Sequence, residues 1–150
     1  MKINVEIVDR EKEEQVLIRC YSVTQQINEI ISFIKSREAS ITAYYDSQIH
    51  FVLLQDIYYI EAVDNKVFAY LASEVYELKL KLYEFEDLYG ERNFFRCSKS
   101  VIVNLMKIEF LKPALNGRFT ATLENNEKVI ISRQYVTELK KRLKGGTHEL

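Results

Sequence analysis

Residues Arg92 to Asn104 read RNFFRCSKSVIVN, and the fold turns on how that stretch divides. Phe94 and Phe95 are apolar aromatics that anchor the segment in a core, and Val101-Ile102-Val103 is a β-branched run that reads as a strand. Between them Arg96, Ser98, Lys99 and Ser100 make a small polar and basic loop. A loop of this composition suits DNA. Lys99 has three donors that reach a phosphate or a guanine edge, and serine hydroxyls bond to phosphates or to either base type. Composition alone leaves a second reading open, in which the loop is a solvated connection.

On either side the pattern is mainly that of strands. Ile41-Thr-Ala-Tyr-Tyr and Ile49-His-Phe-Val-Leu-Leu flank the turn residues Asp46-Ser-Gln, and Ile57-Tyr-Tyr-Ile-Glu-Ala follows. The tripeptide Asp64-Asn65-Lys66 predicts a turn before Val67-Phe-Ala-Tyr-Leu and Val75-Tyr-Glu-Leu. Leu82, Phe85 and Leu88 recur at helical spacing between Lys81 and Tyr89, with Gly90 as the stop. Ile108-Glu-Phe-Leu, Phe119-Thr-Ala-Thr-Leu and Val129-Ile-Ile predict further strands, with Asn125-Asn126 as a turn and Asn116-Gly117 as the strongest two-residue hairpin signal. A helix from Arg133 to about Leu143, with Val136, Leu139 and Leu143 on one side, closes the pattern at Gly145-Gly146.

The first 39 residues have a different character. Ile3, Val5 and Ile7 alternate with polar neighbours, Val16-Leu-Ile resumes after a charged run, and Ile27, Ile30, Ile31 and Ile34 form a helical stripe capped by Ser22 or Thr24. This ββα preface is too short to fold well alone. Its stripe is expected to mediate dimerisation or dock a regulator, or else to cover the rest of the chain. The expected organisation is therefore a ββα extension over 1–39, a mainly β domain over 40–144 and a flexible tail over 145–150.

With 150 residues, 47% hydrophobic and 29% charged, the chain suits one compact domain with an appendage and is not disordered. No apolar run approaches the roughly 20 residues that cross a bilayer, and the N-terminus turns acidic where a signal peptide is apolar, so no membrane insertion and a cytoplasmic location are expected. Two cysteines and two histidines offer no metal-ligand cluster, and no cofactor is expected. The net charge of −1 conceals a polarity: residues 41–90 carry three lysines against nine acids, and residues 91–150 carry twelve basic residues against six acids. That basic third is a candidate phosphate-binding footprint. The motifs GxGxxG, GxxxxGK[ST], HExxH and GxSxG are absent, so no enzyme is expected. Cys97, beside Arg96 and Lys99, leaves a thiol-responsive switch as an alternative.

The segment RNFFRCSKSVIVNLMKI resembles the signature of the LytTR-type DNA-binding domain, the output module of LytR/AgrA/AlgR-like bacterial regulators, whose usual form is close to NFFRxHRSxIVNLxxI. Ile57-Tyr-Tyr-Ile-Glu-Ala before Asp64-Asn65-Lys66, the run Leu78 to Leu88, and Val129-Ile-Ile-Ser-Arg-Gln-Tyr before a final helix agree in order and spacing, so that the resemblance covers roughly 40–144. It implies a mostly antiparallel β-sheet fold that reads double-stranded DNA with loops in successive major grooves. Carried over by position, the contacts are Asn65 and Lys66 in one loop, Ser98, Lys99 and Ser100 in the signature loop, and Arg133 with Gln134 at the helix start. Arg133 suits base reading because a guanidinium fork binds guanine O6 and N7 together, whereas Lys66 and Lys99 suit phosphate. Where the family often has histidine then arginine, this chain has Ser98 and Lys99, a change that removes a bidentate donor. The family's usual receiver domain is not expected in a preface this short. The implied protein is a regulator that binds DNA as a dimer, with the acidic stretch 41–90 turned away from phosphates. The alternative on the same scaffold is a protein-interaction module.

Overall fold

The structure is a computed structural model that describes the backbone of residues 1–38 and 40–149 and the side chains of residues 1–35 and 40–143. The chain divides into two compact units, Met1–Lys35 and Ser36–Leu150. In the first, a turn closes where the Lys12 amide donates to the Asp9 carbonyl at 3.0 Å, and helix α1 (Gln25–Glu38) begins at Thr24. Thr24 caps it: its Oγ1 accepts from the Ile27 amide at 3.3 Å, and its carbonyl accepts from Asn28 at 3.0 Å. Ile27 is buried, and Ile30, Ile31 and Ile34 are half-buried. The two strands expected before the helix are not formed among the described residues. Ile3, Val5 and Ile7 alternate as strands do and Val16 and Leu17 follow one another as an apolar run, but all five are exposed and among the described residues no ladder partner holds them.

The second unit is built on a seven-stranded antiparallel sheet with spatial order β2-β1-β5-β4-β3-β7-β6. Its strands are β1 (Ser40–Tyr45), β2 (Gln48–Leu53), β3 (Tyr59–Val63), β4 (Lys66–Tyr70), β5 (Val75–Leu78), β6 (Phe94–Arg96) and β7 (Val101–Asn104). A second sheet, β10-β9-β8, contains β8 (Ile108–Pro113), β9 (Phe119–Leu123) and β10 (Lys128–Ile131). Helix α2 (Leu82–Tyr89) precedes β6, and helix α3 (Arg133–Glu149) follows β10. This mainly β, antiparallel architecture with short helices is the one the LytTR resemblance implied.

Local chemistry sets the turns. Asp46-Ser47 and Asp64-Asn65 both take positive φ, so each forms a two-residue hairpin closed by the pairs Tyr45↔Gln48 and Val63↔Lys66. Gln48 and Lys66, expected in turns, are the first residues of strands. Asn116 (φ 60°) and Gly117 (φ 75°) also lie in the left-handed region, but their loop is longer than the expected two-residue turn, because Ala114 donates to the Arg118 carbonyl at 2.8 Å and closes it outside them. Gly145-Gly146 does not stop α3, which continues to Glu149. Glycine costs a helix about 1 kcal/mol relative to alanine, which weakens the last turns without forbidding them. Residue 150 of the expected tail lies outside the described residues.

Two cores hold the signature segment from opposite sides. One contains Ile41, Ala43, Val52, Ile60, Val67, Ala69, Leu78, Phe94 and Ile102, together with Leu82 and Phe85 of α2. The other contains Phe95, Cys97 and Val103 with Ala121, Leu123, Val129, Ile131 and Leu139 of α3. Side chains alternate faces along a strand, so Phe94 and Ile102 enter the first core while Phe95 and Val103 enter the second. That is why β6 and β7 are apolar on consecutive residues. The end of β7 is locked by Asn104, a buried amide that donates to the Ile57 carbonyl at 2.8 Å and accepts from the Met106 amide at 3.0 Å.

Candidate nucleic-acid interface

The loop between β6 and β7 is small and tightly bonded. Cys97 and Ser98 both donate from their amides to the Val101 carbonyl, at 3.0 and 3.4 Å, and the Ser100 amide donates to Ser98 Oγ at 3.3 Å. Arg96 clamps it from within. Its Nε donates to the Ser98 carbonyl at 2.7 Å, its Nη2 to the Lys99 carbonyl, and its Nη1 reaches Glu86 of α2 at 3.3 Å. With two carbonyls held by one guanidinium, Lys99 is left exposed at the tip. Arg96 read from sequence as a loop cation; in the fold its charge is spent on the loop's own backbone. Only its place at the end of a three-residue strand, visible after folding, separates these roles.

The same loop meets the start of α3. The Ser132 amide donates to the Cys97 carbonyl at 2.8 Å, which brings Ser132, Arg133 and Gln134 beside Ser98, Lys99 and Ser100. These six residues line an open cleft of about 510 Å³. Arg133, Gln134 and Lys99 are exposed, and Ser98 and Ser100 are half-buried. Asn65 and Lys66 do not line the cleft. They are exposed at the β3–β4 turn, which rises from the same rim: Ser100 accepts from the Ala62 amide at 2.8 Å, and β3 pairs with β7 at Glu61↔Val101. Turn, loop and helix start therefore follow one another along one end of the sheet.

The acidic stretch is only partly turned away. Glu61 accepts from the Tyr70 hydroxyl, Glu74 accepts from Tyr76, Glu77 pairs with Lys79 and Glu86 with Arg96. Asp64 departs from the expectation, because it is exposed in the β3–β4 turn beside Asn65. Its backbone explains it: the turn needs positive φ there, and aspartate tolerates that conformation.

Burial argues against the thiol switch that the basic neighbours of Cys97 suggested. Cys97 is buried, its Sγ lies 3.4 Å from the Val101 carbonyl, and burial pushes its thiol up to about 12 against a smaller opposing pull from its backbone hydrogen bond and Arg96. At neutral pH it is a protonated core residue and a poor nucleophile. Among the described residues no group of three or more His, Cys, Asp or Glu side chains is placed to hold a metal ion, and no helix is long and apolar enough to cross a membrane.

A family model for the LytTr DNA-binding domain matches residues 47–144, which contain the turn, the loop and the helix start. The chain belongs to the LytTR DNA-binding domain family. A solved LytTr DNA-binding domain from Bacillus cereus superposes with a TM-score of 0.66 at 28% identity, over 70% of this chain and 96% of that one. Uncharacterised HTH-type transcriptional regulators of Staphylococcus aureus strains MSSA476 and NCTC 8325 are each 31% identical over 145 residues, 95% of this chain and 98% of theirs. Those names refer to a helix-turn-helix. Among the described residues of the second unit α2 ends at Tyr89 and α3 begins at Arg133, so no short turn joins these two helices.

Proposed function

We propose that the chain is a transcription regulator that binds duplex DNA sequence-specifically and without catalysis, using the rim made by the β3–β4 turn, the β6–β7 loop and the start of α3. The observation that carries this reading is the cleft that gathers Ser98, Lys99, Ser100, Arg133 and Gln134 from two chain-distant connections. Arg133 reads a base edge in the major groove. Lys99 and Lys66 bind phosphates, and Ser98, Ser100, Asn65 and Gln134 add hydrogen bonds to backbone or bases. The family match and the transcriptional-regulator names of the staphylococcal relatives support the same role. DNA contact places its work in the cytoplasm.

The test is a mobility shift on the duplex that the wild-type chain enriches from a randomised library, at two salt concentrations. Arg133→Ala costs about 1–3 kcal/mol and relaxes preference at one base pair, and Lys99→Gln lowers the salt slope by about one unit while sparing sequence preference. Equal losses on enriched and random DNA for both variants overturn the assignment, and no enrichment at all favours a protein-interaction module.

The chain works as a pair in this reading, joined through residues 1–35. Ile3, Val5 and Ile7, in strand-like alternation, and the consecutive Val16 and Leu17 are exposed apolar groups, and a second copy supplies the ladder partner that they lack among the described residues. Of the stripe, Ile30, Ile31 and Ile34 keep exposed surface that packs alongside, whereas Ile27 is already buried within one chain. Ile31→Asp is expected to shift the molar mass by light scattering from dimer to monomer and to weaken binding to duplexes with two half-sites. A wild-type monomer at tens of micromolar removes this part of the proposal.

A further inference from the structure

The Asn116-Gly117 turn lies beside the rim. A Cβ built on Gly117 would stand 2.7 Å from Arg133 Cδ and 2.9 Å from its Cγ, distances that side-chain carbons do not tolerate. The aliphatic stem of Arg133 therefore lies directly on the bare Cα of Gly117. The neighbouring register explains the approach: Ile131↔Phe119 pairs the end of β10 with the start of β9, so the residues just beyond each, Arg133 and Gly117, are brought together. Gly117 is also at φ 75°, where residues with a side chain are strained.

The geometry points to Gly117 as a positioning residue for base recognition, a role that rests on the proposed function of Arg133. Arginine has four stem torsions and loses rotamer freedom when it binds, so a surface that supports the stem shortens the search for the bidentate pose. Any side chain at 117 fills that seat. The stem is flexible and moves aside without unfolding the protein, but the guanidinium then leaves the path along which its fork meets O6 and N7 together. Gly117 thereby acts on specificity through the side chain of Arg133.

The experiment measures, on the enriched duplex and on single-base variants of it, the discrimination at the pair that Arg133→Ala relaxes. Gly117→Ala is expected to lower that discrimination about tenfold, within the range that one bidentate contact supplies, and to leave the salt slope unchanged because no phosphate contact is lost. Asn116→Ala is the control. It strains the same turn at φ 60° but adds no atom beside Arg133, and it is expected to retain discrimination. The double variant Gly117→Ala/Arg133→Ala is expected to discriminate no worse than Arg133→Ala alone, since the two act through one side chain. Discrimination kept in Gly117→Ala, or lost equally in Asn116→Ala, or additive losses in the double variant, each overturns the inference while Arg133 stands as the reader. Arg133→Ala with unchanged discrimination at every pair overturns the reading of Arg133 and this inference with it.

Discussion

Replacing Arg96 by glutamine removes the clamp inside the β6–β7 loop, and the structure sets the size of the loss. The side chain spans two backbone carbonyls and one carboxylate, Ser98 and Lys99 of the loop and Glu86 of α2. The Glu86 side chain is 42% exposed, so solvent screens that pair and it is worth no more than about 0.2–1 kcal/mol. Charge-assisted carbonyl bonds are worth about 1.5–3 kcal/mol, but the one to Ser98 is only part-buried and the one to Lys99 is exposed, and discounting for solvent leaves about 1 kcal/mol each. Together the clamp contributes about 2–3 kcal/mol to holding the loop in one conformation. Without it, binding must first order three residues, each costing about 1–2 kcal/mol of backbone entropy when fully free. A loss of about 2 kcal/mol corresponds to roughly thirtyfold weaker binding. Because Arg96 touches backbone and not phosphate, the dependence of affinity on salt is expected to keep its slope. Arg96→Lys is expected to fail as a rescue, since an ammonium has no planar fork to span two carbonyls. Titration by fluorescence anisotropy at several salt concentrations measures both quantities. A slope lowered by about 0.9 shows that Arg96 binds a phosphate directly, and unchanged affinity shows that the loop holds itself; either result refutes the clamp.

Three further predictions concern the cysteines and the cores. Cys20 is exposed and Cys97 buried, so iodoacetamide at pH 8 is expected to label Cys20 in the folded protein and Cys97 only after denaturation, as read by peptide mass spectrometry; equal native rates contradict this. Cys97 also shapes alkaline stability. Its thiol is raised from 9.0 to about 12 on folding, so its contribution to stability is level below pH 9 and declines by up to about 1.4 kcal/mol per unit above it, as the unfolded chain releases a proton that the folded one keeps. Tyr59 and Tyr70, raised by burial and by nearby carboxylates, act in the same direction above pH 10. Urea unfolding of Cys97→Ala is expected to fall less steeply between pH 9 and 10 than the wild type. Phe85→Ala, which removes a fully buried ring set edge-on to Phe94 at 5.0 Å, is expected to cost about 3–5 kcal/mol in the same assay, and a loss under 1 kcal/mol contradicts the packing described.

The domain's strands were legible because their cues are local. Val-Ile-Val, the alternation in Ile41–Leu53 and the Asp-Ser and Asp-Asn pairs act through neighbours in the chain, and the large sheet uses all of them, whereas Asn-Gly takes positive φ in the second sheet inside a loop longer than two residues. The preface carries the same alternation at Ile3–Ile7 and forms no strand, since pattern makes a segment able to pair but supplies no partner. Aromatic character by itself does not fix burial either: Phe94 and Phe95 are buried, whereas Phe51 on the edge strand β2 is 80% exposed.

What the chain settles without folding is which residues can bond to DNA: a basic loop at 98–100, a lysine after a tight turn, an arginine opening a helix. Folding alone decides which of these cations remain available. It turns Arg96 inward onto carbonyls 2 and 3 residues ahead, buries Cys97 so that it holds its proton, leaves Asp64 at the rim and lays Arg133 across Gly117. The physical reason is range. Backbone preference and side-chain chemistry act over a few residues, whereas burial and charge pairing depend on what the second sheet and the helices bring from dozens of positions away.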